Sequence, residues 1–238
     1  MREADGIICN SRTTADVVCD YFSKQGFKRA SKLEIHYFPM GFDLAEADGP
    51  VRAGLQRFLA GAKTFLMVGT ISPRKGHIVA LEAMKKLLVD HEAQLLIIGK
   101  RGWKSDEFLS LLSSDEKLSK HVLWLLDASD AELQWAYNHA SALLAASHDE
   151  GFGLPLVEAA KFGLPIIASD IPIFHEVTGD KADFFKVMEA DDLAKTLKKW
   201  LETDEHPSSK DIRLYTWEES ARAIHDILTG KSKPYRML

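Results

Sequence analysis

The sequence predicts an α/β fold built on a doubly wound, Rossmann-like parallel sheet. Short apolar runs at 64–68, 94–98, 121–125, 141–146, 165–168 and 183–186 alternate with longer helical patterns at 76–88, 104–114, 130–140, 155–162 and 191–201. Apolar runs of this length suit buried strands, and their alternation with helix-length segments calls for right-handed crossovers. The loops that follow the runs collect the glycines and charged residues, and open α/β sheets bind ligands beyond the carboxyl ends of their strands.

Taken in order, residues 1–43 read as one β-α-β piece. A strand covers 5–10, Ser11 caps a helix through about residue 24, Gly26 ends it, and a second strand at 33–38 is closed by Pro39. This piece is too small to be a domain alone. Residues 44–62, with Gly49, Pro50, Gly54 and Gly61, fit a linker carrying a short helix. The repeating part fills 63–214. Thr216 and Glu219 have capping-box spacing and open a last helix within 215–230, and the basic tail 231–238 is expected to be loose.

Bulk properties narrow the function. The 238 residues are 46% hydrophobic and 27% charged, enough for one large or two small domains with a real core. A net charge of −5 without a long basic stretch argues against a nucleic-acid partner. Two cysteines, Cys9 and Cys19, are too few for a disulfide framework and suit structural thiols in a reducing compartment. No run approaches a membrane span, and Met1 is followed by Arg-Glu-Ala-Asp rather than an apolar signal core. A cytoplasmic protein is expected, with contact at the inner membrane face left open.

The most informative stretch runs from Ser147 to Glu158, S-H-D-E-G-F-G-L-P-L-V-E. It follows the 141–146 strand. Gly151 and Gly153 let the backbone turn and approach a ligand closely, and Pro155 suits a first helical turn. Strand, glycine loop and helix together offer free N–H groups and a positive dipole end, which favour an anion such as a phosphate. Glu150 and Glu158 bracket that spot. Ionised carboxylates only accept hydrogen bonds, so beside a phosphate they suit sugar or ribose hydroxyls. A dipole-favoured helix Glu and a solvated loop Glu form the alternative.

A second such passage is Val68-Gly-Thr-Ile-Ser-Pro-Arg-Lys-Gly76. Arg74 and Lys75 oppose the dipole of the helix behind them, so their pairing there asks for an anion. Two solvated cations are the other reading. Ile98-Gly-Lys-Arg-Gly-Trp103 lacks dinucleotide-fingerprint spacing; Lys100 or Arg101 can approach phosphate, and Trp103 reads as packing. Asp130 reads as an N-cap and His148 as a hydrogen-bonded loop histidine. The histidines lack metal-ligand spacing and no D-x-D occurs, so no metal and no other cofactor is expected.

Glu150-Gly-Phe-Gly-Leu-Pro-Leu-Val-Glu158, with Gly163-Leu-Pro-Ile-Ile-Ala-Ser169 behind it, resembles the signature of retaining family-4 glycosyltransferases of the GT-B fold. The likeness covers nearly the whole chain and implies the C-terminal, donor-binding half of such an enzyme. Residues 1–43 then resemble the end of the acceptor-binding half, with Pro39-Met-Gly-Phe-Asp43 matching the family's P-x-G-x-D turn. Most of that N-terminal domain is expected to be missing, whether by truncation or because this is a piece of a larger polypeptide. The resemblance implies that Glu150 and Lys75 act in catalysis, Glu150 orienting the donor sugar and Lys75 holding the diphosphate. Gly69, Thr70, Arg74 and Lys100 would lie around the nucleotide. Gly151, Phe152, Gly153 and Leu154 would lie beside the sugar, and Glu158 would hold the ribose. The family's arginine falls at Thr70, which carries no charge; Arg74 is the candidate replacement.

The donor is expected to be GDP- or UDP-linked, with GDP-mannose first because the Thr70 and Gly99–Trp103 loops resemble those of bacterial mannosyltransferases. The acceptor is a sugar or lipid-linked glycan. Two rivals remain, a non-catalytic nucleotide-binding module and a nucleotide-sugar epimerase or phosphorylase of the same fold.

Overall fold

A computed structural model describes residues 4–26 and 31–238. Two sheets are present among them. The smaller joins β1 (Gly6–Cys9), β2 (Glu34–Tyr37) and β9 (Arg236–Met237), with α1 (Arg12–Gln25) crossing between β1 and β2. The larger has six parallel strands: β3 (Thr64–Val68), β4 (Gln94–Ile98), β5 (Val122–Leu125), β6 (Ala142–Ala145), β7 (Ile166–Ser169) and β8 (Asp183–Phe185). Their order is β5-β4-β3-β6-β7-β8, so the winding reverses between β3 and β6. This is the doubly wound sheet expected from the sequence.

The helices are α2 (Ala53–Leu59), α3 (His77–Leu87), α4 (Asp106–Ser114), α5 (Glu116–His121), α6 (Asp130–His139), α7 (Leu154–Phe162), α8 (Pro172–Thr178), α9 (Ala190–Leu201) and α10 (Trp217–Leu228). Alternate strand residues face opposite layers, the period-2 rule. Phe65, Met67, Leu95 and Ile97 pack with α3 and α9 on one face. Leu66, Leu96, Leu143 and Ile166 pack with α6 and α7 on the other. Cys9, Ala15, Cys19, Phe22, Leu33 and Ile35 form a third core under the small sheet, and both cysteines are free and buried.

Local signals act as the residues dictate. Ser11 caps α1 by accepting from the Thr14 N–H, and Gly26 ends it at φ 58°. Thr216 and Glu219 form the expected capping box on α10. The Pro39–Asp43 turn needs its glycine, because a Cβ on Gly41 would lie 2.7 Å from the Thr216 carbonyl oxygen. The Ser220 hydroxyl donates to the Pro39 carbonyl at 2.5 Å and the Phe42 N–H to Tyr215 at 2.8 Å, so α10 and its lead-in are fastened to this turn.

Several expectations need correction. The tail is not loose: the Leu33 and Leu238 N–H groups exchange bonds with each other's carbonyls at 2.8 and 3.0 Å, and β9 pairs antiparallel with β2. Ser129, not Asp130, caps α6, with Glu132 closing the capping box. Trp103 does not pack inside; it is 61% exposed. The fourth helix starts at Asp106 rather than 104, since Lys104 takes a left-handed φ of 52°. Helices α5 and α8 were not anticipated. The 44–62 segment does carry a short helix, α2, and it is docked: Arg52 meets Glu132 of α6 at 2.5 and 2.8 Å, and Leu55 is fully buried.

Candidate active site

The reversal of winding puts the loops after β3 and β6 side by side, where an open α/β sheet leaves its ligand crevice. Gly69 leaves β3 at φ 135°, its N–H donating to the Ile98 carbonyl at 2.9 Å. A tight turn over Pro73–Lys75 follows, closed by Gly76 in the left-handed region at φ 69°. A Cβ on Gly76 would collide with the Ala146 carbonyl, so only glycine lets the two loops touch. The His148 N–H donates to the Arg74 carbonyl at 3.0 Å and ties them together.

Across this seam the charged residues meet. Lys75 Nζ lies 2.5 Å from Glu150 Oε1, and Arg74 NH1 lies 2.6 Å from Glu150 Oε2. Arg74 NH1 also donates to the Asp149 carbonyl at 2.7 Å, and the Ser147 hydroxyl donates to Glu150 Oε1 at 3.0 Å. Burial pushes the Glu150 carboxyl up, but the neighbouring Lys75 and Arg74 outweigh it and hold the group below its ordinary range. Glu150 is therefore ionised. The anion asked for by two adjacent cations is, in the free chain, this carboxylate.

Glu158 sits one turn into α7, and its Oε2 accepts from the buried Tyr137 hydroxyl of α6. Burial raises its carboxyl pKa against the opposing pull of Tyr137 and of the Lys75 charge. Gly153 caps α7 at φ 94°, and a Cβ there would press on the Phe174 ring at 3.0 Å. A small pocket beneath the glycine loop is lined by Lys75, His77, Ser147, Glu150, Gly153 and Phe174 among others.

The structure thus brings together Gly69, Arg74, Lys75, Glu150 and Gly153, with Glu158 within electrostatic reach of Lys75. Thr70 and Lys100 are exposed at the strand ends and do not line that pocket. Leu154 is 40% exposed at the start of α7. The Gly151 carbonyl accepts from Ser11 of the small sheet's unit, and Phe152 turns to a cleft shared with Arg12, Tyr37, Glu176 and Arg213. Arg101 is committed elsewhere, to Ser105 and Asp106 at the start of α4. Sequence reasoning missed Ser147, His77, Tyr137, Ser11 and Glu176. Ser147 adjoins the glycine loop and His77 directly follows Gly76, so both lay beside passages already singled out; Tyr137, Ser11 and Glu176 arrive from distant segments.

Comparison with known proteins decides the family. The description "Glycosyl transferases group 1" matches residues 56–217. The chain belongs to the group 1 glycosyltransferases. It is 36% identical over 233 residues to the serotype-specific mannosyltransferase WbdA of Escherichia coli, covering 93% of this chain and 28% of WbdA. Among solved structures, sucrose-phosphate synthase from Thermosynechococcus elongatus superposes with a TM-score of 0.73 at 22% identity, covering 97% of this chain and 60% of that one. The Anabaena protein HepE in complex with UDP and glucose superposes with a TM-score of 0.72 at 17% identity, covering 95% and 63%. These likenesses establish the GT-B fold. The chain thus spans 28% of WbdA's length. No helix among its described residues is long and apolar enough to cross a membrane.

Proposed function

We propose that this chain is the donor-binding unit of a retaining glycosyltransferase that passes mannose from a GDP-linked donor to a hydroxyl of a glycan acceptor. Family membership supports sugar transfer, and the similarity to WbdA supports mannose as the sugar. The observation that carries the reading is the convergence of Lys75 and Arg74 on Glu150 under the glycine loop, at the sheet's reversal point.

An arriving diphosphate competes with Glu150 for the two cations. Lys75 and Arg74 then face the charge that builds on the leaving group as the glycosidic bond breaks. The released carboxylate is free to accept hydrogen bonds from sugar hydroxyls, and Glu158 to accept them from ribose. The acceptor hydroxyl attacks from the face the diphosphate leaves, so configuration is retained. With cations performing the charge stabilisation, the reaction needs no metal. The small β1–α1–β2 unit fits the rim of an acceptor-binding half supplied by further polypeptide. A lipid-linked acceptor would bring the enzyme to the inner face of a membrane.

Calorimetric titration with GDP, UDP and ADP in a chelator tests this reading. GDP is expected to bind without metal, and Lys75→Ala to weaken it by about 1.5–3 kcal/mol, roughly tenfold or more, for the loss of a charge-assisted bond. A folded chain that binds none of the three would overturn the donor site, and the nucleotide-binding module with it.

A further inference from the structure

We propose that Glu176 is a positioning residue for the donor loop, acting through the N-terminus of α1. Glu176 lies on α8, in the large-sheet unit. Its carboxylate accepts from the Arg12 N–H at 2.8 Å, the Thr13 N–H at 2.7 Å and the Thr13 hydroxyl at 2.6 Å. The opening N–H groups of a helix have no partner within it, and α1 has no acidic residue of its own in its first turn. A carboxylate from another unit thus supplies both the missing acceptors and the negative charge the dipole favours.

What α1 delivers in return is its cap. Ser11 is 2% exposed, accepts from the Thr14 N–H at 3.0 Å, and places its hydroxyl 2.9 Å from the Gly151 carbonyl oxygen. The Thr14 hydroxyl stands 3.4 Å from the same oxygen. Asn10 lies against the other side of Gly151, where a Cβ would meet its Nδ2 at 3.0 Å. Gly151 is the residue after Glu150, whose carboxylate holds Lys75 and Arg74. A contiguous path therefore runs from Glu176 through the α1 N-terminus and Ser11 to the backbone of the glycine loop. With the path intact, the loop that carries Glu150 is held from two sides. With it broken, the loop keeps its β6 and α7 ends and its contacts with Arg74 and Lys75 but loses its tie to the small sheet's unit.

The consequence for donor binding rests on the function proposed above; the path itself is decided on the free chain. Backbone NMR relaxation of Gly151–Gly153 reads loop order, and amide exchange of Arg12 and Thr13 reads the helix end. Glu176→Ala is expected to lower the loop order parameters from about 0.85 toward 0.6 while speeding exchange at Arg12 and Thr13 by roughly tenfold. Glu176→Gln, which keeps an acceptor oxygen, should restore part of both. Ser11→Gly is well tolerated at a cap; it should loosen the loop while Arg12 and Thr13 stay protected by Glu176. Fraying of α1 in Glu176→Ala with the loop unchanged would overturn the proposal and reduce Glu176 to a local cap. GDP affinity should fall in the order wild type, Glu176→Gln, Glu176→Ala. A wild-type chain that binds no nucleotide would fail the donor reading while the relaxation data still decide the path.

Discussion

Charge in the pocket is arranged by burial and by near neighbours. Glu150 stays ionised because Lys75 and Arg74 outweigh its burial. His77, on the same pocket wall, goes the other way. It is 2% exposed, and its Nδ1 has no hydrogen-bond partner among the described residues. Burial first, and the Lys75 charge after it, lower its pKa from 6.5 to about 4 against the opposing pull of the Ser72 carbonyl. The unfolded chain takes up that proton near pH 6.5 and the folded chain only near 4, so acid favours unfolding between the two. Stability from this group is complete above pH 6.5 and declines as pH falls toward 4, by roughly 3 kcal/mol in all. His77→Phe, with a ring of similar size and no proton to gain, should flatten that limb in denaturant titrations run across the window. An unchanged slope would show that other groups carry it. Glu150 adds its own loss only below its ordinary value of 4.5, since its pKa is depressed rather than raised.

At the level of elements, a loop pair works only if its backbones touch. Gly76 has both a left-handed φ of 69° and no room for a side chain beside the Ala146 carbonyl. Gly230 has a similar φ of 70° with nothing within 4 Å. Gly230→Ala should cost about 1–2 kcal/mol, the conformational penalty alone. Gly76→Ala must add a backbone displacement and should cost more, as well as parting the β3 and β6 loops that carry Lys75 and Glu150. Equal losses in urea unfolding would mean that the seam yields freely. Much of this architecture was legible beforehand. Lys75 and Glu150 stand out as candidates because each follows an apolar run and adjoins a glycine, a pattern that local chemistry writes into the sequence. Their pairing does not, because it depends on β3 lying beside β6. Tyr137 was invisible for a like reason: nothing near it in the chain announces that α6 will lay its hydroxyl on Glu158. The short helices α5 and α8 escaped because six or seven residues give too few turns for a clear period.

For the molecule as a whole, separate cores imply separate stabilities. The small sheet's core contains no residue of the two cores flanking the large sheet, and its partly buried rim includes Tyr235 and Leu238 from the far end of the sequence. The basic composition of 231–238 gave no hint of this, because a two-residue edge strand has no pattern to read. Yet Tyr235 donates its N–H to Ile35 at 2.8 Å, its hydroxyl to Asp16 at 2.9 Å, and its ring to an edge-on contact with Tyr37 at 5.1 Å. A small unit buries little surface per residue, so the loss of one edge strand weighs heavily on it. Deleting residues 235–238 should therefore speed amide exchange through β1, α1 and β2, with Leu33 losing its acceptor outright. The strands β3, β4 and β6 should keep their protection, because their hydrogen bonds and packing lie within the other layers. Through Ser11, the loosened unit should also relax its hold on Gly151, so nucleotide affinity would fall although no donor-side residue has changed. Uniform deprotection of both sheets would instead mark the chain as one cooperative unit, and would place the tail's contribution in the fold as a whole.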